Sequence, residues 1–216
     1  MVNITLKSEE KNMTKQVEMT AENEQMKAPS EGAKGVKAKG KITTKDLTMM
    51  AMFVALMAIC SWINIPFTVP FTLQTFAIFA AVAFLGMKRG TLSVLVYIIL
   101  GVIGVPVFAG FSGGPGVLFG TTGGYIIGFL FTALISGFVI DRFGRKIWIM
   151  ALGMVLGLVA CYAFGTVWFI VLYTKANGAI GAMTALSWCV FPFILPDLAK
   201  IALAIGLHKS VGRFVK

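Results

Sequence analysis

Acidic side chains are scarce through most of this sequence. Of the nine Asp and Glu residues, seven lie within residues 1–46, and only Asp141 and Asp197 follow. The chain also has a single histidine. It therefore offers no nucleophile–base pair and no cluster of metal ligands, so we expect neither an enzyme nor a bound metal.

Paired cysteines and a phosphate-binding loop are missing as well. Cys60, Cys161 and Cys189 stand alone in apolar segments, with no C-x-x-C pair and no histidine nearby. Such cysteines usually serve as small buried hydrophobic side chains. The G-K-[S/T] ending of a P-loop is absent, so we expect no nucleotide site and no cofactor in this chain.

Apolar residues make up 57% of the chain, and the mean hydropathy is +0.86. Both values are typical of a membrane protein with several spans. The net charge of +10 could suggest nucleic acid. Beyond the N-terminal segment, however, the basic residues lie mostly in short loops, which is the positive-inside pattern of a protein embedded in a lipid bilayer. We therefore expect no nucleic-acid partner.

Two regions of different composition divide the chain. Residues 1–45 are rich in Lys and Glu and lack apolar periodicity, which predicts a disordered polar tail. Residues 46–216 predict an all-α integral membrane domain with six transmembrane helices. The predicted spans are 47–65, 73–87, 91–105, 121–140, 147–174 and 196–207.

Basic residues follow every second predicted span. These residues are Lys88, Arg89, Arg142, Arg145, Lys146, Lys209, Arg213 and Lys216. The positive-inside rule places them in the cytoplasm, together with both termini. The loops at 66–72 and 106–120 carry no charge and are predicted to lie outside, next to the start of the last span.

Asp197 and Lys200 stand in the apolar stretch FPFILPDLAK, residues 191–200. A charge at the centre of a bilayer costs roughly 2.5–3.5 kcal/mol on insertion scales, so each of these charges needs compensation. Their i, i+3 spacing puts them on one face of a helix. We predict that the helix begins at Pro196, which would place Asp197 in its first turn. The pair indicates an outward-facing ligand pocket, or alternatively a structural ion pair between helices.

A glycine-rich loop at residues 105–125 offers further candidate ligand contacts. Glycine lets the backbone approach a ligand closely, and free N–H groups with nearby hydroxyls attract anions. The alternative is that these glycines only allow tight turns. The candidates are Gly113, Gly114, Gly116, Ser112, Thr121 and Thr122.

Ala51 and Ala55 lie one helical turn apart in the first predicted span. Small residues at this spacing let a second helix approach closely in lipid, so they are candidates for partner binding. Packing inside the protein itself is the alternative.

Several motifs in order resemble the BioY family, the biotin-specific S components of energy-coupling factor (ECF) transporters. The resemblance covers roughly residues 47–210. The motifs are P-F-T-L-Q-T-F (70–76), L-G-x-K-R-G (85–90), Y-x-x-L-G-x-x-G-x-P-V-F-A-G (97–110), S-G-G-x-G (112–116), T-G-G-Y (122–125) and P-F-x-x-P-D-x-x-K (192–200). Gln74 and Tyr125, which stand in these motifs, complete the candidate substrate-binding set.

The resemblance implies a six-helix S-component fold and biotin uptake across a prokaryotic cell membrane. It also implies association with a transmembrane T component and two cytoplasmic ATPases, with Ala51 and Ala55 docking on the T component. Asp197 could accept hydrogen bonds from the ureido N–H groups of biotin, and Lys200 could donate to its carbonyl. The open alternatives are an S component for another small vitamin, a self-sufficient secondary transporter with Asp197 as its proton site, and a membrane protein with no role in transport.

Overall fold

The structure is a computed structural model that describes residues 43–66 and 68–212. Nearly all of the predicted tail lies outside this part of the chain, as do Arg213 and Lys216. The elements are α1 (Thr44–Trp62), β1 (Asn64–Ile65), β2 (Phe71–Thr72), α2 (Gln74–Val102), a 3-10 turn (Ala109–Phe111), α3 (Pro115–Leu118), α4 (Gly123–Phe143), α5 (Ile147–Asn177), α6 (Ala182–Cys189) and α7 (Phe191–Val211).

Helices account for most of the described residues. Within residues 43–66 and 68–212, five helical stretches are long and apolar enough to cross a membrane, namely α1, α2, α4, α5 and the stretch formed by α6 with α7. The strands β1 and β2 form only a two-residue antiparallel hairpin, in which Asn64 pairs with Thr72. This is the all-helical architecture that the sequence predicts.

The helix α2 consists of two arms, because the chain folds back at Gly86. This glycine has φ +76°, a conformation that side-chain-bearing residues rarely adopt. The Gln74 amide donates a hydrogen bond to the Tyr97 hydroxyl, 23 residues later. Along a straight helix those residues would lie about 35 Å apart. The arms 74–85 and 87–102 therefore correspond to the second and third predicted spans.

The reversal between the arms lies two residues earlier than predicted, at Gly86 rather than at Lys88–Gly90. Asp141 explains the position, because its carboxylate accepts a hydrogen bond from the Met87 N–H at 2.9 Å. The side chain thus caps the second arm from the neighbouring helix α4.

A second acidic side chain fixes the start of α1 at the same end of the molecule. Thr43 and Asp46 form a capping box, in which each side chain accepts from the other's backbone N–H. Asp46 also pairs with Arg89 of α2 at 2.8 Å. The box starts α1 at Thr44, inside the segment predicted as tail, and three residues before the predicted first span.

The first arm of α2 forms the centre of the protein. Residues 77–83 have no solvent exposure at all. Small alanines allow α1, α4 and α7 to approach α2. The arm therefore carries the residues at its N-terminal end, including Gln74 and Thr75, into the protein interior.

The predicted outer loops gather at the opposite end from Asp46 and Asp141. The Trp62 indole donates to the Pro106 carbonyl at 2.9 Å, which ties the loop after α2 to the end of α1. Phe111 has φ +56° and stacks on the Trp62 ring, with centroids 4.9 Å apart. The loop contains the 3-10 turn and α3, so it is more ordered than its glycine content indicates.

The predicted start of the last helix is wrong. The helix α7 begins at Phe191, with Pro192 in its first turn, and Pro196 lies inside it. An interior proline removes one N–H from the helix ladder, yet here the helix continues through it. Asp197 therefore lies in the second turn, away from the helix N-terminus where the dipole would stabilise it.

Replacing Gly86 with alanine should destabilise the fold. The added Cβ would meet the Asp141 carboxylate at 2.9 Å, and the positive φ adds strain. We expect a loss of about 1–3 kcal/mol, measured by thermal unfolding of the purified protein in mild detergent. Gly206→Ala is the matched control, because no atom lies within 4 Å of its added Cβ. Equal melting temperatures for Gly86→Ala and the native protein would contradict this account of the reversal.

Candidate ligand site

A pocket lies where the hairpin β1–β2 and the loop after α2 meet the helices α2, α4, α5 and α7. The empty space between its walls, counted with the open mouth, is about 850 Å³. Its lining is mainly apolar, with a few polar groups that converge on one wall. Mainly apolar walls with a few placed polar groups are usual for small-molecule sites.

Asp197 and Lys200 form the charged wall of this pocket. Their side chains lie one turn apart on α7, with Lys200 Nζ 2.7 Å from Asp197 Oδ1. The two residues are only 2% and 4% exposed. Both charges are therefore removed from water, and their stability depends on the groups that surround them.

The Asp197 carboxylate is held by donors from two other helices. Thr75 of α2 donates to Oδ1 at 2.8 Å, and Tyr162 of α5 donates to Oδ2 at 2.5 Å. With Lys200, the carboxylate accepts three hydrogen bonds. Side chains of neighbouring helices thus stabilise the Asp197 charge, a role that we predicted for the helix dipole. The ion pair itself lies within one helix, while its hydrogen bonds connect α7 to α2 and α5.

Lys200 is held by the hairpin β1–β2. Its ammonium donates to the Thr72 carbonyl of β2 at 2.6 Å and lies 4.4 Å from the centre of the Phe71 ring. An ammonium has three N–H donors, and two of them reach oxygen atoms within the described part of the chain. The third can serve a ligand, at the cost of the weaker contact with the aromatic face.

Four of the other predicted substrate-binding residues line the same pocket: Gln74, Ser112, Thr122 and Tyr125. Gln74 accepts a hydrogen bond from Thr72 Oγ1 at 3.3 Å. Tyr125 shares a hydrogen bond with Thr166 at 3.0 Å. The fold thus brings residues that lie far apart in the sequence to one cavity.

Gly113, Gly114, Gly116 and Thr121 are not among the lining residues. A Cβ on Gly113 would lie 2.5 Å from the Val105 carbonyl oxygen. Gly114 has φ +96°, and its N–H donates to the Gly101 carbonyl at 2.7 Å. Close turning of the backbone, the alternative interpretation, accounts for these two glycines. That any of the four contacts a ligand stays a prediction.

Several residues that line the pocket were not predicted from the sequence. Thr75 and Tyr162 are the two hydroxyl partners of Asp197, and Cys161 and Cys189 also line the cavity. Tyr162 could have been found as a polar group in the middle of a long apolar span. The prediction that the cysteines are buried is confirmed for Cys60, Cys161 and Cys189.

Ala51 and Ala55 lie on the outside of the molecule. Both alanines are exposed on α1, whereas Phe53, Val54 and Met57 between and beyond them are buried. Their exposure within the described part of the chain argues against the internal-packing alternative. That a partner helix binds at this face of α1 stays a prediction.

Comparisons with known proteins agree on one family. The model of the BioY family matches residues 31–216. The Biotin transporter BioY of Thermotoga maritima is 40% identical over 161 residues, which cover 74% of this chain and 91% of the relative. The Probable biotin transporter BioY of Pyrococcus horikoshii is 40% identical over 162 residues, covering 74% and 92%. Both relatives are named as transporters and not as enzymes.

The fold agrees with the same family. A crystal structure of the S-component for biotin from an ECF-type ABC transporter superposes with a TM-score of 0.70 and 29% sequence identity. The match covers 78% of this chain and 91% of that protein. Together with the family match over residues 31–216, these similarities show that the chain is a membrane-embedded member of the BioY family.

Proposed function

We propose that this protein is the biotin-binding S component of an ECF-type importer in a prokaryotic cell membrane. The observation that carries the proposal is the buried Asp197–Lys200 pair, which faces a mainly apolar pocket and keeps hydrogen-bonding capacity to spare. The names of the relatives support biotin as the ligand.

The ureido group of biotin suits this charged wall. Its ring offers two N–H donors and one carbonyl acceptor. Asp197 can accept from an N–H, and the third N–H of Lys200 can donate to the carbonyl. Hydrogen bonds to charged groups are about twice as strong as neutral ones, so this wall would contribute much of the binding free energy.

The rest of the cavity suits the rest of the ligand. Val69, Phe129 and Leu158 provide apolar walls for the sulfur-containing ring and the valerate chain. Ser112 and Thr122 also line the cavity, and their hydroxyls are candidate donors to the carboxylate. Ser112 already donates to the Ala109 carbonyl at 2.8 Å, so its own hydroxyl proton would have to reorient to reach a ligand.

Transport requires partners in this proposal. Because the chain has no P-loop, the proposal assigns the energy supply to ATPases that act through a T component. The predicted topology places the pocket outside and both termini in the cytoplasm, with six membrane crossings when the arms of α2 are counted separately. Ala51 and Ala55 would then lie near the cytoplasmic end of α1, where the T component could reach them.

Biotin binding is the direct test. We expect the purified chain to bind biotin saturably without ATP or partners, measured by isothermal titration calorimetry in mild detergent. Asp197→Asn and Lys200→Met should each weaken binding by roughly 2–5 kcal/mol, because each leaves a buried partner unpaired. The double variant should lose less than the sum of the two.

Lys209→Met is the matched control for this experiment, since Lys209 is an exposed lysine on the same helix. It should retain native affinity. A folded native chain without saturable biotin binding would refute the proposal, and preferential binding of lipoate would indicate a different vitamin. Biotin uptake in cells that lack a T component would instead support a secondary transporter.

Cysteine labelling tests the orientation. Gly116 is exposed, and no atom lies within 4 Å of its added Cβ, so Gly116→Cys should react with an impermeant thiol reagent from outside intact cells. Lys146→Cys, at the opposite end, should react only after permeabilisation. Both variants are made after the three buried native cysteines have been replaced with alanine. The reverse labelling pattern would invert the topology.

Docking on the T component is tested at α1. The double variant Ala51→Leu, Ala55→Leu carries larger side chains that would prevent the close approach of a second helix. It should therefore lose co-purification with the T component and lose uptake. Biotin affinity should stay within a few fold of native, because neither alanine is among the residues that line the pocket. Ala202→Leu, an exposed alanine on α7, is the control. Uptake that survives the double change would show that this face does not dock.

A further inference from the structure

Behind the pocket, a chain of buried hydrogen bonds continues from Gln74. The Gln74 amide nitrogen donates to the hydroxyl of Tyr97, and that hydroxyl donates to the Val107 carbonyl at 2.7 Å. Gln74 lines the pocket, whereas Tyr97 does not. Tyr97 has no solvent exposure, so its hydroxyl depends on protein groups for its hydrogen bonds.

Tyr97 has a single hydroxyl proton, and this fixes which group donates and which accepts in each of these hydrogen bonds. Because the proton goes to Val107, the hydroxyl oxygen accepts from its other neighbour, and the NH₂ group of Gln74 must face it. The amide oxygen Oε1 then points the other way, toward the Thr72 hydroxyl at 3.3 Å. Thr72 and Gln74 both line the pocket.

The Val107 carbonyl is itself held in place. The fully buried Ser61 hydroxyl of α1 lies 2.5 Å from it and 2.7 Å from the Ala58 carbonyl. The neighbouring Phe108 ring packs edge-on against the Tyr97 ring, with centroids 5.6 Å apart. The Val107 carbonyl is thus held on both sides as the acceptor of the Tyr97 proton. The order of donors and acceptors in these hydrogen bonds therefore stays the same.

We propose that Tyr97 is a positioning residue for ligand recognition, which orients the Gln74 amide so that its carbonyl oxygen faces the pocket. The inference rests on the proposed function, because it concerns how the same pocket recognises its ligand. A cyclic urea has two N–H groups, and the pocket then offers two acceptors, the Asp197 carboxylate and Gln74 Oε1. Tyr97 thereby favours ligands that donate at both positions over ligands that accept at one of them.

A double-mutant cycle tests the role of Tyr97. Tyr97→Phe keeps the ring packing and removes the hydroxyl, so the Gln74 amide is free to turn. We expect biotin affinity to fall about tenfold, the loss typical of one hydrogen bond. In a Gln74→Ala background, the same Tyr97→Phe change should have no further effect, because no amide remains to be oriented. Affinities are measured by calorimetry on the full chain in detergent.

Controls separate this role from a purely structural one. Tyr173→Phe removes a tyrosine hydroxyl outside the pocket lining and should leave affinity unchanged. Melting temperatures show whether each variant is folded. Equal losses from Tyr97→Phe in the native and Gln74→Ala backgrounds would overturn the inference, as would native affinity in Gln74→Ala or an unfolded Tyr97→Phe variant. If the native chain itself fails to bind biotin, the proposed function fails and the inference falls with it.

Discussion

The burial of two opposite charges on one turn of α7 is the constraint on which the rest of the site depends. Asp197 and Lys200 neutralise each other, but a pair alone does not recover the hydration that both groups lose. Thr75, Tyr162 and the Thr72 carbonyl supply the remaining hydrogen bonds. Because these groups come from α2, α5 and β2, the fold has to bring four elements together around one ion pair.

The two-armed helix α2 makes that convergence possible. Its first arm has 12 residues, 74–85, and so spans about 18 Å, less than the hydrocarbon core of roughly 30 Å. The hairpin β1–β2 and the loop after α2 lie above its N-terminal end. Irregular backbone at membrane depth is stable only where protein or a cavity satisfies its hydrogen bonds, and here both do.

At the other end of α2, the carboxylates of Asp46 and Asp141 hold α1 and the reversal of α2 in place. Asp46, Asp141 and Asp197, the acidic residues of the predicted membrane domain, therefore all have structural partners.

Much of this protein could be predicted from the sequence. Hydrophobic runs separated by basic or glycine-rich loops indicated the helical segments, because lipid permits only structures that satisfy their own backbone. The cost of burying charge singled out Asp197 and Lys200, and the motifs indicated the family. The prediction failed at boundaries. The start of α7 was misplaced because Pro196 also resembles a helix start, and the reversal of α2 was misplaced because its cap, Asp141, lies 54 residues further along the chain.

The composition and pattern of the chain by themselves determined its class, its helices and its charged pair, since each of these depends on local hydropathy, spacing and the cost of charge in lipid. Tertiary structure alone decided which groups complete the site. Thr75 lies 122 residues from Asp197, and the Thr72 carbonyl lies 128 residues from Lys200. The same holds for the proposed orientation of the Gln74 amide, which depends on the hydrogen bond that Tyr97 donates to the Val107 carbonyl. Hydrogen bonds act over about 3 Å, so their partners are set by how the helices pack and not by their order in the chain.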